Sequence, residues 1–419
     1  MKFLKDVNQL VGSLGNNPTF VLHSGCAEPR LLADFMARNA KVLCGARLLT
    51  LMPMGDSPYG NEIPASELRL ETFFPGKGLR SALSAGRVQP LRYPLSAIPD
   101  LFNTRKITAD VLLVQVSPPD NEGNVSLGIS VDYVPAVLRQ SPVIIAEINP
   151  LMPTTCGNTR FPASLIDFFV NATSGPQMMA PGVPDEIDKA IAVHVAGLVS
   201  DGAIIQTGIG SLPDCVLGHL GHLRHLGLHS GIVTDAIRPL IESGVIDNST
   251  KTRFKGVSVT TMAGGTQEFY NFLHRNSAIE FHPLSVTHNP VTLAEISGLC
   301  TINSGLQIDL AGNVNAEQVG GRRIALPGGM PDFCAGGSKA PNGKSIVVIR
   351  STFGDGNSNV LPRFNAATPV TVDASSVTHL VTEFGVAAIT GLTPERRAAS
   401  LIEIAHPAHR NSLRSANAS

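Results

Sequence analysis

Short runs of consecutive apolar residues, each emptying into a glycine- or proline-rich turn, recur along this chain and mark it as an α/β protein. Ala203-Ile204-Ile205 leads into Thr207-Gly208-Ile209-Gly210, and a helix is expected from Ser211, with Pro213 near its first turn. Leu226-Gly227-Leu228 reads as a second strand, running into His229-Ser230-Gly231 and another helix. Two such strand ends side by side open a crevice at the carboxyl edge of a sheet, where ligands of α/β proteins bind. The first-turn N–H groups of a helix lack intrahelical partners and can receive a phosphate, a carbonyl oxygen or a developing oxyanion. Close packing of helix on strand is the other use for glycines placed this way.

The same pattern runs through the rest of the chain. In the first half, strands are expected at 19–22, 42–43, 48–51, 88–93, 109–116 and 142–148, with helices at 30–40 and 78–87. Polar loops are expected at 53–61 and 117–124. In the second half, helices are expected at 185–199, 268–274 and 394–405, with a short one after Leu326-Pro327-Gly328-Gly329. Strands are expected near 254–259, within 294–310, and at 345–349 and 379–387. Two motifs echo across the halves. Thr19 to Pro29 repeats the order strand, hydroxyl-glycine turn, proline and helix seen from Ile204 to Pro213, and Glu122-Gly123-Asn124-Val125-Ser126 resembles Ala311-Gly312-Asn313-Val314-Asn315. The expectation is an internal duplication of two similar α/β domains, 1–180 and 181–419, joined through the Pro/Gly/Met-rich stretch 171–188.

At 419 residues the chain is too long for one ordinary core, which agrees with two domains. Its 32 Lys and Arg against 33 Asp and Glu leave no electrostatic case for nucleic acid or an anionic membrane surface. No apolar run is long enough for a membrane span, and 1–17 is broken by polar residues where a signal peptide would stay apolar. Cys26, Cys44, Cys156, Cys215, Cys300 and Cys334 are scattered without metal-ligand spacing and read as free thiols in a reducing cytoplasm. No H-E-x-x-H or G-x-S-x-G motif is present. Gly343-Lys344-Ser345 has Ser338 where a phosphate loop needs its leading glycine. Glycine turns joined by Asn303, Glu147 and Glu383 suit an oxyanion and a long ligand better than a metal.

Several long segments, in order, resemble the acetyl-CoA hydrolase/transferase family, of the class I CoA-transferase fold. They include SPPDNEGNVSLGIS (117–130), GIGSLPDCVL (208–217), LGLHSGIVTDAI (226–237), INSGLQIDLAGNVNAE (302–317) and HLVTEFGVAAITGLTPERRAASLIEIAHP (379–407). The resemblance implies two α/β halves with an acyl-CoA site between them, a homodimer or larger assembly, and coenzyme A as a substrate moiety with no permanently bound cofactor. It also implies a small carboxylate as second substrate. In such enzymes a glutamate attacks the thioester, passing through an acyl anhydride to a glutamyl-CoA thioester.

That glutamate belongs in or beside the segment matching His229-Ser230-Gly231, and here residue 231 is glycine. Three readings follow: a transferase in which the acceptor carboxylate attacks directly, a hydrolase in which water does, or a CoA-binding protein without turnover. By the resemblance, Asn303, Gly329 and Glu383 hold catalytic positions, with Gly210 and Gly329 as backbone donors and Asn303 as a side-chain donor. Gly210, Gly265, Thr266, Gln267 and Gly328 are placed near the CoA. Met330 is read as packing, and Asp235 and Glu147 as capping or buried pairing, with acid/base work the alternative.

Overall fold

The computed structural model describes residues 2–6, 9, 14–61, 63, 64 and 67–418. Part of the N-terminal stretch read above for a leader lies outside the described residues. Two compact units form. The first is Met1–Ala180 with Thr260–Val286 and Ile324–Gly328; the second is Pro181–Val259 with Thr287–Arg323 and Gly329–Ser419. Beyond residue 180 the chain thus returns twice to the first unit, within the contiguous stretch 181–419. Such returns leave no break in composition for a sequence reading to catch.

The first unit is built on eight strands: β1 (Lys2–Phe3), β2 (Thr19–Leu22), β3 (Ala46–Thr50), β4 (Leu68–Thr72), β5 (Gln89–Pro90), β6 (Val111–Val116), β7 (Val143–Ile148) and β8 (Phe168–Asn171). They lie in the order β1-β8-β7-β6-β2-β3-β4-β5, every neighbouring pair parallel. Central strand β6 is buried along its whole length, which is why it reads as a continuous apolar run. Helix α1 (Arg30–Arg38) follows β2 and buries Leu32, Ala33 and Met36 in a core with Phe20, Leu48 and Leu113.

Several elements depart from the sequence expectation, among them strands β1 and β8 and the helix Pro58–Asn61 inside the loop expected at 53–61. Residues 42 and 43 form a turn, not a strand, and leave Val42 exposed. Strand β4 was not expected, because Arg69 and Glu71 make it look polar. Glu71 is nevertheless buried, paired with Arg47 on the neighbouring strand and with Arg69 at 3.0 Å.

In the second unit, β9 (Ile204–Thr207), β10 (Gly227–Leu228), β11 (Leu299–Ser304), β12 (Lys344–Val348), β13 (His379–Thr382) and β14 (Gly385–Ala388) lie in the order β10-β9-β11-β12-β13-β14. All pairs are parallel except the closing hairpin β13-β14. Helices α2 (Glu186–Ala196) and α3 (Ser211–Gly218) pack on each other, while α4 (Met330–Lys339) packs on β11 and β12. Met330 lies in the apolar cluster with Ile308, Val347 and Leu380, as its packing assignment required. The C-terminal helix Pro394–Glu403 is followed by a further one, Pro407–Ala418.

The strand orders of the two units match in their central part. In each, the strand before the glycine turn (β2, β9) sits between its successor (β3, β10) and a long buried strand (β6, β11), with three more strands beyond. The first sheet also continues past β3 into β4 and β5, whereas the second ends at β10. The second echo is structural as well. Gly123 N–H donates to Asp120 C=O and Asn124 N–H to the Asp120 carboxylate, both at 2.9 Å. Gly312 and Asn313 make the same two bonds to Asp309, also at 2.9 Å. Both glycines have positive φ, +77° and +89°, so one turn recurs at equivalent places.

Candidate functional site

In the second unit Gly210, Gly231, Asn303 and Glu383 lie at or just beyond the carboxyl ends of strands β9, β10, β11 and β13, and Gly329 at the N-terminus of α4. Of these only Gly231 and Gly329 are brought against a common side chain, and Glu383 lies on the far side of the sheet from Gly231. Strand β9 ends in Thr207 and turns through Gly208-Ile209-Gly210 into α3. Gly210 stands at φ +122°, ψ 178°, a conformation that L side chains rarely adopt. Gly210→Ala should therefore cost about 1–2 kcal/mol, although a Cβ there would meet only Pro213, at 4.0 Å. Denaturant unfolding checks this, and an unchanged midpoint would mean that the turn relaxes. The start of α3 is tied down by Ser211 Oγ, which donates to Asp188 (2.8 Å). Arg350 bridges Asp188 (2.6 Å) and Asp185 (2.8 Å).

Strand β10 runs into His229 and Ser230, both fully buried and fixed through their backbones. His229 N–H donates to Ile205 C=O (3.0 Å) and Ser230 N–H to Val259 C=O (2.9 Å). The Ser230 hydroxyl donates to Thr207 C=O (3.0 Å), and His229 Nε2–H donates to Thr287 C=O (3.1 Å). These bonds hold the backbone of Gly231 at the strand outlet.

A Cβ on Gly231 would come within 2.8 Å of His288 Nε2 and 3.2 Å of Phe333 Cε2. A Cβ on Gly329, at the N-terminus of α4, would come within 2.5 Å of the same His288 nitrogen. The two glycines therefore converge on one imidazole. His288 is buried, its Nδ1 paired with Thr287 Oγ1 at 2.9 Å and its ring 4.7 Å from that of Phe333. Burial, with a smaller contribution from His229, pushes its pKa down to about 3, so the ring is neutral at ordinary pH. No sequence signal marked His288, because nothing local distinguishes it from a packed histidine.

Asn303, at the end of β11, is engaged within the sheet. Its Nδ2 donates to Gln206 Oε1 (3.0 Å), and Gln206 Nε2 donates to Asn303 Oδ1 (3.2 Å). Glu383 lies in the β13-β14 turn, where its carboxylate accepts from Ser351 N–H (3.0 Å) and Ser351 Oγ (2.5 Å). Asp235 begins a single 3-10 turn, and Thr234 beside it donates to Asp214 (2.7 Å).

The other expected residues belong to the first unit. Thr266 caps the short helix Gln267–Leu273, accepting from Phe269 N–H at 3.2 Å. Gly265 N–H donates to Tyr270 Oη (3.3 Å), and Gln267 donates to Asn271 (3.0 Å). Gly328 has φ +59° and its carbonyl accepts from Leu95 N–H (3.2 Å). Glu147 accepts from Leu31 N–H (2.8 Å) in the first turn of α1, the capping role weighed above.

Beside it, Glu28 accepts from Tyr59 Oη (2.9 Å) and is fully buried. Burial first, with weaker carboxylate repulsion, pushes Glu28 up to about 8; burial pushes Glu147 up to about 7. Glu28 was not singled out in the sequence, where it looks like an ordinary turn residue before Pro29. Among the described residues, no group of three His, Cys, Asp or Glu side chains could hold a metal ion, and no helix is long and apolar enough to cross a membrane.

The model of the acetyl-CoA hydrolase/transferase N-terminal domain matches residues 1–184, and that of the C-terminal domain matches residues 265–417. The chain belongs to the acetyl-CoA hydrolase/transferase family. It is 34% identical to the 4-hydroxybutyrate coenzyme A transferase of Clostridium kluyveri, covering 98% of this chain and 96% of that one. It is 30% identical to the succinyl-CoA:acetate/propanoyl-CoA:succinate CoA transferase of Fasciola hepatica, covering 99% and 87%. The crystal structure of RipA from Yersinia pestis superposes with a TM-score of 0.91 at 29% identity, covering 99% of this chain and 96% of that one. In this family member, as in that structure, the fold is α/β with parallel sheets in two domains.

Proposed function

We propose that this family member transfers CoA from an acyl-CoA directly to a small carboxylate, without a covalent enzyme intermediate. The acceptor carboxylate oxygen bonds to the thioester carbonyl carbon, the C–S bond breaks, and a mixed anhydride and CoA thiolate result. The thiolate then attacks the other carbonyl of the anhydride, giving the new acyl-CoA and releasing the original acyl group as its carboxylate. Atoms and charge balance at each stage, and no enzyme nucleophile is used.

One observation carries this reading: residue 231 is glycine, and the direction its side chain would take is filled by the His288 ring. Acyl-transfer chemistry is supported by the family and by the glycine turns at the strand outlets, whose N–H groups suit a developing oxyanion. A carboxylate acceptor is supported by the names of the two relatives. CoA contacts are assigned to Gly210, Gly265, Thr266, Gln267 and Gly328 on the family resemblance.

Steady-state kinetics across a panel of short-chain acyl-CoA donors with propionate as acceptor test it. The expected result is intersecting double-reciprocal lines, acceptor-dependent transfer, and no CoA adduct on the intact protein by mass spectrometry. Parallel lines with a trapped glutamyl adduct would overturn the direct route. CoA release independent of the acceptor would instead make the protein a hydrolase, and tight CoA binding without turnover a non-catalytic relative.

A further inference from the structure

The two glycine turns, at β10 and at the start of α4, present no polar side chain of their own, yet both border the same ring nitrogen. Gly231 and Gly329 are half-buried, whereas His288 is 1% exposed, with its Nε2 lying against both of them. Its position is over-determined. Thr287 Oγ1 holds Nδ1, Phe333 flanks the ring, and His229 fixes the Thr287 backbone from the other side. Meanwhile Asn303, the side-chain donor that the family resemblance suggested, is committed to a reciprocal amide pair with Gln206.

We infer that His288 is a catalytic residue of this site, donating Nε2–H to the thioester carbonyl oxygen as that oxygen gains charge. The inference rests on the reading of the Gly231 outlet as the place of acyl transfer. The role requires the tautomer in which Thr287 Oγ1–H donates to Nδ1, so that the proton of the neutral ring sits on Nε2, beside the glycine turns. The nucleophile's electron pair forms the bond to carbon, the carbonyl π pair moves onto oxygen, and His288 stabilises that oxygen through a hydrogen bond without giving up its proton. When the carbonyl re-forms, the C–S bond breaks and CoA leaves as thiolate.

A neutral donor fits this step better than a charged one. The ring is held far below its ordinary pKa, so it is a weak base and neither competes with the nucleophile nor attracts the acceptor carboxylate into an unproductive ion pair. A donor fixed before the reaction needs no reorganisation in the transition state.

His288→Leu and His288→Gln separate this role from packing. Leu fills the space without a donor, and kcat/KM should fall about 100-fold or more. Gln keeps an N–H and should retain activity within about tenfold of wild type. Equal activity of the Leu variant and wild type, or equal loss in both variants with intact folding, would overturn the assignment. Should the Leu variant fail to fold, the tautomer in the wild-type protein decides: long-range nitrogen NMR should show His288 protonated on Nε2, and protonation on Nδ1 would overturn it. A wild-type protein that transfers CoA normally while His288→Leu is unaffected defeats this inference alone. Wild-type kinetics with a glutamyl adduct defeat the direct-transfer reading while leaving the donor test intact.

Discussion

Gly231→Glu by itself is expected to destabilise the protein and to trap no enzyme–CoA adduct, whereas Gly231→Glu combined with His288→Gly should form one. The reason is steric. The first carbon of any side chain at 231 would lie 2.8 Å from His288 Nε2 and 3.2 Å from Phe333. The ring cannot retreat freely, since it also rests against Gly329 and lies 4.7 Å from the Phe333 ring. Forcing a side chain into packed surroundings costs about 1–3 kcal/mol, and burying a carboxylate beside a neutral imidazole adds desolvation. Removing the imidazole in the double variant opens a path for the glutamate, so the covalent route becomes sterically available. Intact mass after incubation with acyl-CoA, borohydride sensitivity and thermal melts read the outcome. A single Gly231→Glu variant with an unchanged melting temperature and a trapped adduct would show that the ring yields easily, and would remove the steric argument.

Raising the pH from 6.5 to 8 is expected to lower the stability of the protein, mainly through Glu28. Burial holds Glu28 up to about 8 and Glu147 up to about 7 in the folded chain. In the unfolded chain both ionise at ordinary carboxylate values. Over this window the folded state therefore binds more protons than the unfolded state, and stability falls as pH rises, by about 1.4 kcal/mol per pH unit for each such carboxyl. The fall begins above the ordinary carboxylate range and ends once Glu28 ionises in the fold.

Buried His23 and His288, pushed down to about 4 and about 3, act with the opposite sign. As pH falls through the ordinary histidine value the unfolded chain takes up protons that the fold keeps off these rings down to about 4 and about 3, so stability is lost there; above about pH 7 they contribute little slope. Glu28→Gln keeps a side chain able to accept from Tyr59 and removes most of the alkaline slope, about 2 kcal/mol across the window. Melting temperatures at pH 6.5, 7.25 and 8 for both proteins provide the check. The same slope in the variant would show that another group carries it.

The elements legible in the sequence were those in which local pattern and tertiary role agree. The runs Val111–Val114 and Ala203–Ile205 are apolar because both faces of a central parallel strand are covered. The Asp120 and Asp309 turns were visible as an echo because glycine and asparagine are each required there. Strand β4 was hidden because its buried acid is neutralised by arginines, one of them from another strand, a compensation that only the pairing reveals. The glycine at 231 was legible in the sequence, at the place where the family resemblance leads one to expect a glutamate. What fills its place was not, since His288 comes from a segment 57 residues further on and carries no motif of its own. Asn303 illustrates the converse: the residue type suits a donor, but its amide pairs with Gln206 on a neighbouring strand and lies 4.0 Å from Cys334 Sγ on α4.

The rims of the first sheet bear on how copies of this chain can meet. Its outermost strands are only two residues long, Lys2–Phe3 and Gln89–Pro90, and the second contains an imino acid with no hydrogen to offer. Such margins are poor templates for annexing a foreign ribbon, which protects a largely parallel, apolar core from linear aggregation. Any association of copies through this unit then uses its helical and loop surfaces and leaves the ladder of that sheet closed at both ends.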